Sequence, residues 1–308
     1  MSNIILINII FKNIIIKLII MLRNIVKNQF VRNSLIQTNK KINTVILDWS
    51  GTTVDKYVIA PAEVFHKVFR NHMVPITMPE ARLPMGLRKD LHIKAIMEIP
   101  EVKKRWFDIK GKYPTDSDVD VLFDDFVPMQ LACLDKYSTL LPGVVETVDI
   151  LRNDYKVKIG ITTGFNKVMA DVLLKNTKSQ GFIPDVSVTG DIVDNGVRPK
   201  PFMLYKNLEM LDAFPIDTVV KVDDTVGGVG EGLNAGCWTV GLARYSNYMD
   251  IDCLEDEDKL TEKDIKYKLD KSTQILKDSG AHYVVDDITS LPSILKDINN
   301  KLQNGEKP

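Results

Sequence analysis

From about Asn43 onward, short apolar runs alternate with longer amphipathic stretches. Runs rich in β-branched residues read as strands at Thr44–Leu47, Lys156–Ile161, Thr218–Val222, Trp238–Leu242 and His282–Val285. Apolar positions at helical spacing predict helices at about 143–153, 165–177, 201–212, 228–235 and 291–302. Alternation of this kind builds a parallel sheet covered by helices, so the expected fold class is α/β.

One stretch departs from the alternation. Residues 60–137 hold no strand-like run but show helical windows at about 60–72, 86–98, 100–108 and 116–135, punctuated by Pro61, Pro100 and Pro128. An all-helical insert after the first strand predicts a cap domain, residues 59–137, over the carboxyl edge of the sheet, where open α/β folds bind ligands. The core then comprises residues 43–58 and 138–308.

Composition alters this picture mainly at the amino-terminal end. The 40 Lys and Arg nearly balance the 41 Asp and Glu, and 44% of residues are apolar, so the body is globular and has no overall basic field for nucleic acid. Cys133, Cys237 and Cys253 are odd in number and far apart, which argues against a disulfide framework and for reduced thiols. No acid precedes Asp48, whereas residues 1–47 carry seven basic side chains; the rest has 33 basic against 41 acidic residues, a net −8. Residues 4–22 look like a membrane span, and their fourteen Ile, Leu or Phe residues favour insertion by roughly −4 to −8 kcal/mol. Lys12 and Lys17 return roughly +5 to +7 kcal/mol, so a membrane partner is not expected. The basic leader, residues 1–42, reads as a targeting segment or as a compositionally biased extension, and the expected location is cytoplasmic or mitochondrial.

Four segments fall at the ends of elements, where a site should lie. Asp48 closes an apolar strand and enters the Gly/Thr turn Ser50-Gly-Thr-Thr53, where free amides favour an anionic oxygen, although a carboxylate here could equally cap the turn. Thr162-Thr-Gly164 runs from a strand into a helix start, as phosphate ligand or as N-cap. Arg198-Pro-Lys-Pro201 leaves a cation at a helix mouth, for a phosphoryl group or for solvent. Asp223-Asp224-Thr225 ends a strand in paired acids, suited to Mg²⁺ or to a turn.

In order and spacing these segments resemble the four motifs of the haloacid dehalogenase superfamily of phosphoryl-transfer enzymes. The stretches Asp48-Trp-Ser-Gly-Thr-Thr-Val-Asp55, Pro84-Met-Gly-Leu-Arg-Lys89-Asp-Leu-His92 and Asn234-Ala-Gly-Cys-Trp-Thr-Val-Gly241 are further similar to its phosphonoacetaldehyde hydrolase family, over about residues 43–303. The resemblance implies a Rossmann-like core with an inserted cap, a small phosphonate substrate, and cleavage of its carbon–phosphorus bond to acetaldehyde and phosphate. It implies Asp48 as nucleophile forming an aspartyl phosphate and Lys89 as Schiff-base lysine. Thr163, Gly164, Arg198 and Met85 would lie at the substrate. Mg²⁺ would be held by Asp48, Asp224 and the backbone carbonyl of Ser50, with Asp223 a further candidate ligand, and the chain would form a homodimer through its cap helices.

The residue types suit that chemistry. Superfamily phosphatases carry an acid two residues after the nucleophile to protonate a leaving alkoxide, and Ser50 stands there. A carbon–phosphorus bond leaves its electrons on carbon, and an imine on a lysine accepts them as an enamine. Lys89 must be neutral to form that imine, yet an unperturbed lysine near pKa 10.4 is free amine in only about one part in 2,500 at pH 7. His92, a helical turn on, is a candidate proton relay. A departure stands at Gly228, where the family usually has Asp; Asp223, where it often has Gly, is the candidate replacement. Two decoys fail: Asp116-x-Asp118-x-Asp120 has Val121 where a calcium loop needs Gly, and Gly227–Gly232 lacks dinucleotide-binding spacing. Competing functions are a capped phosphatase or phosphomutase on a small phosphate ester, and a metal-impaired, non-catalytic relative.

Overall fold

The computed structural model describes residues 17–27, 40–193 and 198–308. Most of the expected leader lies outside the described residues; residues 17–27 within it form a helix, α1. Among the described residues no helix is long and apolar enough to cross a membrane.

Residues 42–296 make one compact unit. At its centre lies a six-stranded sheet in the order β3-β2-β1-β4-β5-β6. The strands are β1 (Thr44–Leu47), β2 (Lys158–Thr163), β3 (Val186–Thr189), β4 (Val219–Asp223), β5 (Trp238–Leu242) and β6 (Tyr283–Val285). All neighbours pair in parallel, with Val45 of β1 opposite Ile159 of β2 and Val220 of β4. Every residue of β1, β4 and β5 is buried, so both faces of these strands are covered. That is why β1 (Thr-Val-Ile-Leu) and the start of β4 (Val-Val) are apolar runs rather than alternating ones.

Between β1 and β2 the chain forms α2 (Ile59–Asn71), α3 (Met78–Arg82), α4 (Lys89–Glu98), α5 (Pro100–Lys110), α6 (Asp116–Leu134) and α7 (Val144–Asn153). The first five make the helical insert. Its starts are written in the sequence: Thr77 with Glu80 and Thr115 with Asp118 form reciprocal capping boxes, and Pro100 opens α5. Its core stacks Phe65 on Phe126 at 4.4 Å and on His92 at 3.8 Å. The remaining helices are α8 (Lys167–Ser179), α9 (Phe202–Leu211), α10 (Val226–Ala235), α11 (Leu254–Glu257), α12 (Glu262–Asp278) and α13 (Leu291–Gln303). Pairs α9 with β2 and β3, α10 with β4 and β5, and α12 with β5 and β6 are in contact.

The structure departs from the expected elements at three places. Edge strand β3, Val186-Ser-Val-Thr189, has only two apolar residues and so does not register as a run. Helix α4 begins at Lys89 rather than near residue 86, preceded by the separate short helix α3. Helix α12 is highly charged, which masks its apolar stripe.

The two connections between insert and sheet lie side by side. Val54 bridges to Leu140, and the amide of Leu141 donates to Thr53 O at 2.8 Å. In the first connection Asp55, Tyr57 and Val58 all have φ between 55° and 65°. A β-branched residue in this left-handed region is strained, and strain of that kind concentrates at functional sites. Asp55 stabilises the turn by accepting the amides of Ile59 (3.0 Å) and Ala60 (3.2 Å) at the start of α2.

Candidate active site

The strand order reverses between β1 and β4, and a crevice opens at the carboxyl ends of strands there. Asp48 follows β1, Thr163 ends β2, and Asp223 and Asp224 end β4, so the topology alone gathers three of the four motifs. The insert covers the crevice, narrowing it to a partly open chamber lined by Asp48, Ser50, Met85, Lys89, Thr163, Gly164 and Arg198. Its free volume is about 20 Å³, room for about one water molecule. Closure rests on direct backbone apposition. A Cβ at Gly164 would lie 2.5 Å from Leu87 O of the insert, so only glycine admits this seating.

Lys89 occupies the first turn of α4 and is 6% exposed. Its ammonium lies 4.8 Å from the ring centre of Phe165 in the core and 5.8 Å from that of Phe65 in the insert. Burial lowers its pKa from 10.5 to about 8, against the opposing pull of Asp48. At pH 7 the amine fraction thus rises from about 0.03% to about 10%. A solvated surface lysine would have none of these features.

Below the chamber lies a buried charge network. Arg198 donates from Nη2 to Asp48 Oδ1 (2.7 Å) and Thr162 O (2.7 Å), and from Nε to Glu231 Oε2 (3.2 Å). Lys221, in the middle of β4, donates to Thr162 Oγ1 at 2.9 Å and faces Asp223 Oδ2 at 2.9 Å. Ligand oxygens of Asp48, Asp223 and Asp224 lie within 4.8 Å of one another. Burial raises the Asp48 carboxyl despite Arg198, and burial with the charges of Asp223 and Asp48 lifts Asp224 well above the carboxylate range. Four buried carboxylates (Asp48, Asp223, Asp224, Glu231) meet Arg198 and Lys221 in the core and Lys89 across the chamber, so the acids outnumber the cations, and burial with acidic neighbours keeps Asp224 raised. Such an oxygen-rich, over-negative cluster fits a hard divalent cation.

The acids of this cluster differ in their commitments. Asp223 Oδ1 accepts from Thr225 N (3.0 Å) and Oγ1 (2.7 Å), while its Oδ2 faces Lys221 and, at 3.2 Å, Arg198. Burial opposes ionisation of Asp223, but Arg198 and Lys221 overcome it and hold the carboxyl below its usual range. Asp224 has only long bonds from Thr52 Oγ1 and Asn247 N, each 3.2 Å. The Gly228 departure has a steric counterpart: a Cβ there would fall 1.9–2.2 Å from the Asp223 carboxyl group. Asp223 occupies the space a side chain at position 228 would need.

His92 is fully buried and does not line the chamber. Its Nε2 bonds Ala81 O at 2.8 Å, which makes that nitrogen the donor and leaves Nδ1 without a hydrogen-bond partner. Burial and the Lys89 charge hold it neutral, well below the ordinary histidine pKa. Sequence reasoning missed Lys221 and Glu231, although a lysine inside a Val/Ile strand is itself a signal, since lysine is almost never fully buried unless paired. It also missed Arg82 and Asn247, which carry no motif.

Comparison with known proteins follows the same line. Residues 42–236 match the family model of haloacid dehalogenase-like hydrolases. The chain is 38% identical to a phosphonoacetaldehyde hydrolase of Paraburkholderia xenovorans (strain LB400), over 87% of this chain and 100% of that protein. It is 39% identical to a bifunctional phosphonoacetaldehyde hydrolase/aminoethylphosphonate transaminase of Clostridioides difficile (strain 630), spanning 85% of this chain but only 41% of that longer protein. The crystal structure of a phosphonoacetaldehyde hydrolase-like protein from Oleispira antarctica superposes with a TM-score of 0.84 at 34% identity, covering 87% of this chain and 96% of that one. A β-phosphoglucomutase from Clostridium difficile, at 15% identity and a TM-score of 0.60, shares the fold alone. The chain is therefore a hydrolase of the haloacid dehalogenase superfamily and belongs to its phosphonoacetaldehyde hydrolase family.

Proposed function

We propose that this chain hydrolyses the carbon–phosphorus bond of phosphonoacetaldehyde, giving acetaldehyde and phosphate. The observation that carries the reading is Lys89, buried and held near pKa 8, lining one narrow cleft with Asp48, where Ser50 stands in place of an acid.

The neutral amine of Lys89 attacks the aldehyde carbon, and loss of water leaves a protonated imine. An oxygen of Asp48 then attacks phosphorus in line as the carbon–phosphorus bond breaks. The bonding pair moves toward the iminium nitrogen and becomes an enamine, so no acid is needed at position 50. Arg198, already 2.7 Å from Asp48, offsets charge on the phosphoryl oxygens, and the Thr163 hydroxyl and nearby amides hold them. Water cleaves the aspartyl phosphate; the enamine gains a proton on carbon, and hydrolysis of the imine frees acetaldehyde. His92 does not line the chamber, so the relay role expected for it would need a water or a shift of Lys89 to connect its unpartnered Nδ1 to the reacting groups. Movement of the cap would widen this narrow cleft for substrate, and reseating would limit water.

Asp48, Asp224 and the backbone carbonyl of Ser50 would hold Mg²⁺, which when bound neutralises phosphoryl charge. The contacts of Asp223 favour a different role, as counter-ion of Lys221 and Arg198. A homodimer remains the expectation from family resemblance, and sedimentation of a monomer at micromolar concentration would count against it.

Two measurements test the function. Phosphate and acetaldehyde should appear in equal amounts from phosphonoacetaldehyde with Mg²⁺, and borohydride with the aldehyde should fix a covalent adduct on Lys89. Persistence of that adduct in Lys89→Arg, or turnover of simple phosphate esters in preference to the phosphonate, would overturn the assignment.

A further inference from the structure

Arg82 closes helix α3 of the insert, is 3% exposed, and sends its side-chain hydrogen bonds out of the insert helices. Nε donates to Asp252 Oδ1 (3.0 Å), Nη1 to Tyr57 O (2.7 Å) and Asn247 Oδ1 (3.1 Å), and Nη2 to Ile251 O (2.6 Å). Three of these partners lie in residues 247–252 of the core, and Tyr57 lies in the strained connection. Asn247 answers by donating Nδ2 to Arg82 O at 3.2 Å. Its backbone N–H donates to Asp224 Oδ2 at 3.2 Å, and the neighbouring Ser246 hydroxyl donates to Asp224 O at 2.8 Å. The same Arg82 carbonyl accepts the amide of Met85 (3.0 Å), at the start of the loop that lines the chamber.

We infer that Arg82 and Asn247 are positioning residues that couple seating of the insert on the core to the metal affinity of Asp224. The inference rests on the reading of Asp224 as a metal ligand. A buried guanidinium strands its donors if its acceptors leave, so Arg82 and the 246–252 turn hold together as one piece. When the insert lifts, that turn is released, and the Asp224 carboxyl loses the backbone N–H of Asn247, one of the two donors it accepts. Linkage makes the effect reciprocal: a cation on Asp224 favours the seated insert, and the seated insert favours the cation.

The test is calorimetric titration of Mg²⁺ into the full-length, substrate-free chain, together with tryptic cleavage at Lys56 and Lys136 in the two connections. Arg82→Met and Asn247→Ala should each weaken Mg²⁺ binding about five- to twenty-fold, although neither residue touches the ion. Because both act through one latch, the double variant should be little weaker than the worse single one. Mg²⁺ should slow cleavage of the connections in the parent chain and not in the variants. Wild-type affinity in both variants, or fully additive losses, overturns the coupling. If near-ultraviolet dichroism shows that Arg82→Met does not fold, Asn247→Ala decides alone, since it keeps the backbone N–H on Asp224. Asp224→Asn separates the two levels: lost binding there with none lost in the latch variants removes the coupling and leaves the metal site, whereas unchanged binding removes both.

Discussion

Replacing Lys89 by Met should stabilise the protein while ending imine formation. Burial lowers the lysine pKa from 10.5 to about 8, so holding it protonated in the folded state costs about 3 kcal/mol at pH 7. Its approach to the rings of Phe165 and Phe65 offsets about 1 kcal/mol of that. Met keeps most of the stem volume and needs no counter-charge, leaving an expected gain of about 2 kcal/mol. The pH dependence follows from the direction of the shift. Below pH 8 both folded and unfolded chains hold the proton, and the penalty is complete. Between 8 and 10.5 the unfolded chain binds more protons than the folded one, so parent stability climbs with pH relative to the variant; above 10.5 the penalty is gone. Urea midpoints of both proteins from pH 7 to 10.5 measure this. A variant no more stable than the parent at pH 7, or a difference that stays constant up to pH 10.5, would refute the reasoning.

Asp48→Asn should abolish turnover, by at least about a thousandfold, yet retain borohydride-trapped aldehyde, because only phosphorus capture is lost; loss of trapping as well would contradict the separation of roles. Gly164→Ala places a methyl group 2.5 Å from Leu87 O, and the resulting misplacement of Lys89 should lower kcat about tenfold to a hundredfold with the fold intact. Unchanged kcat would show that the seating is looser than it looks. Gly228→Asp, which sequence pattern alone suggests as a repair of the metal site, should instead cost roughly 3 kcal/mol, since its side chain overlaps the Asp223 carboxylate. Combining it with Asp223→Gly should recover stability to within about 1 kcal/mol; thermal melts that find the single variant neutral would sink this account.

Much of this could be read from the chain, for reasons visible at particular residues. β1 and β4 are buried on both faces, so their apolar runs announce themselves, and each leads to a motif at its carboxyl end. β3 escaped because Val186-Ser-Val-Thr189 mixes hydroxyl residues with only two apolar ones and is half-buried at its start. α12 was readable in principle: Ile265, Leu269, Ser272 and Leu276 fall on one helical face, and Thr261 with Asp264 forms a capping box, but the many charges around them obscure the stripe. In the site, Asp48, Lys89, Thr163 and Arg198 meet as their motifs imply. The exchange between Asp223 and Gly228 was visible only as two departures; that they fill the same space needs coordinates. Arg82 and Asn247 lie 165 positions apart, and no local pattern relates them.

The pairing of Val54 with Leu140 has a practical corollary. The chain leaves the sheet and returns to it at adjacent points, so everything from Asp55 to Thr139 hangs from a single stitched seam. Residues 55–139 could be excised and the ends rejoined by a tight turn without re-threading any strand of the sheet. Lids from other members of the superfamily could be grafted across the same junction, making this seam the natural place to exchange what the enzyme recognises while keeping how it handles phosphorus.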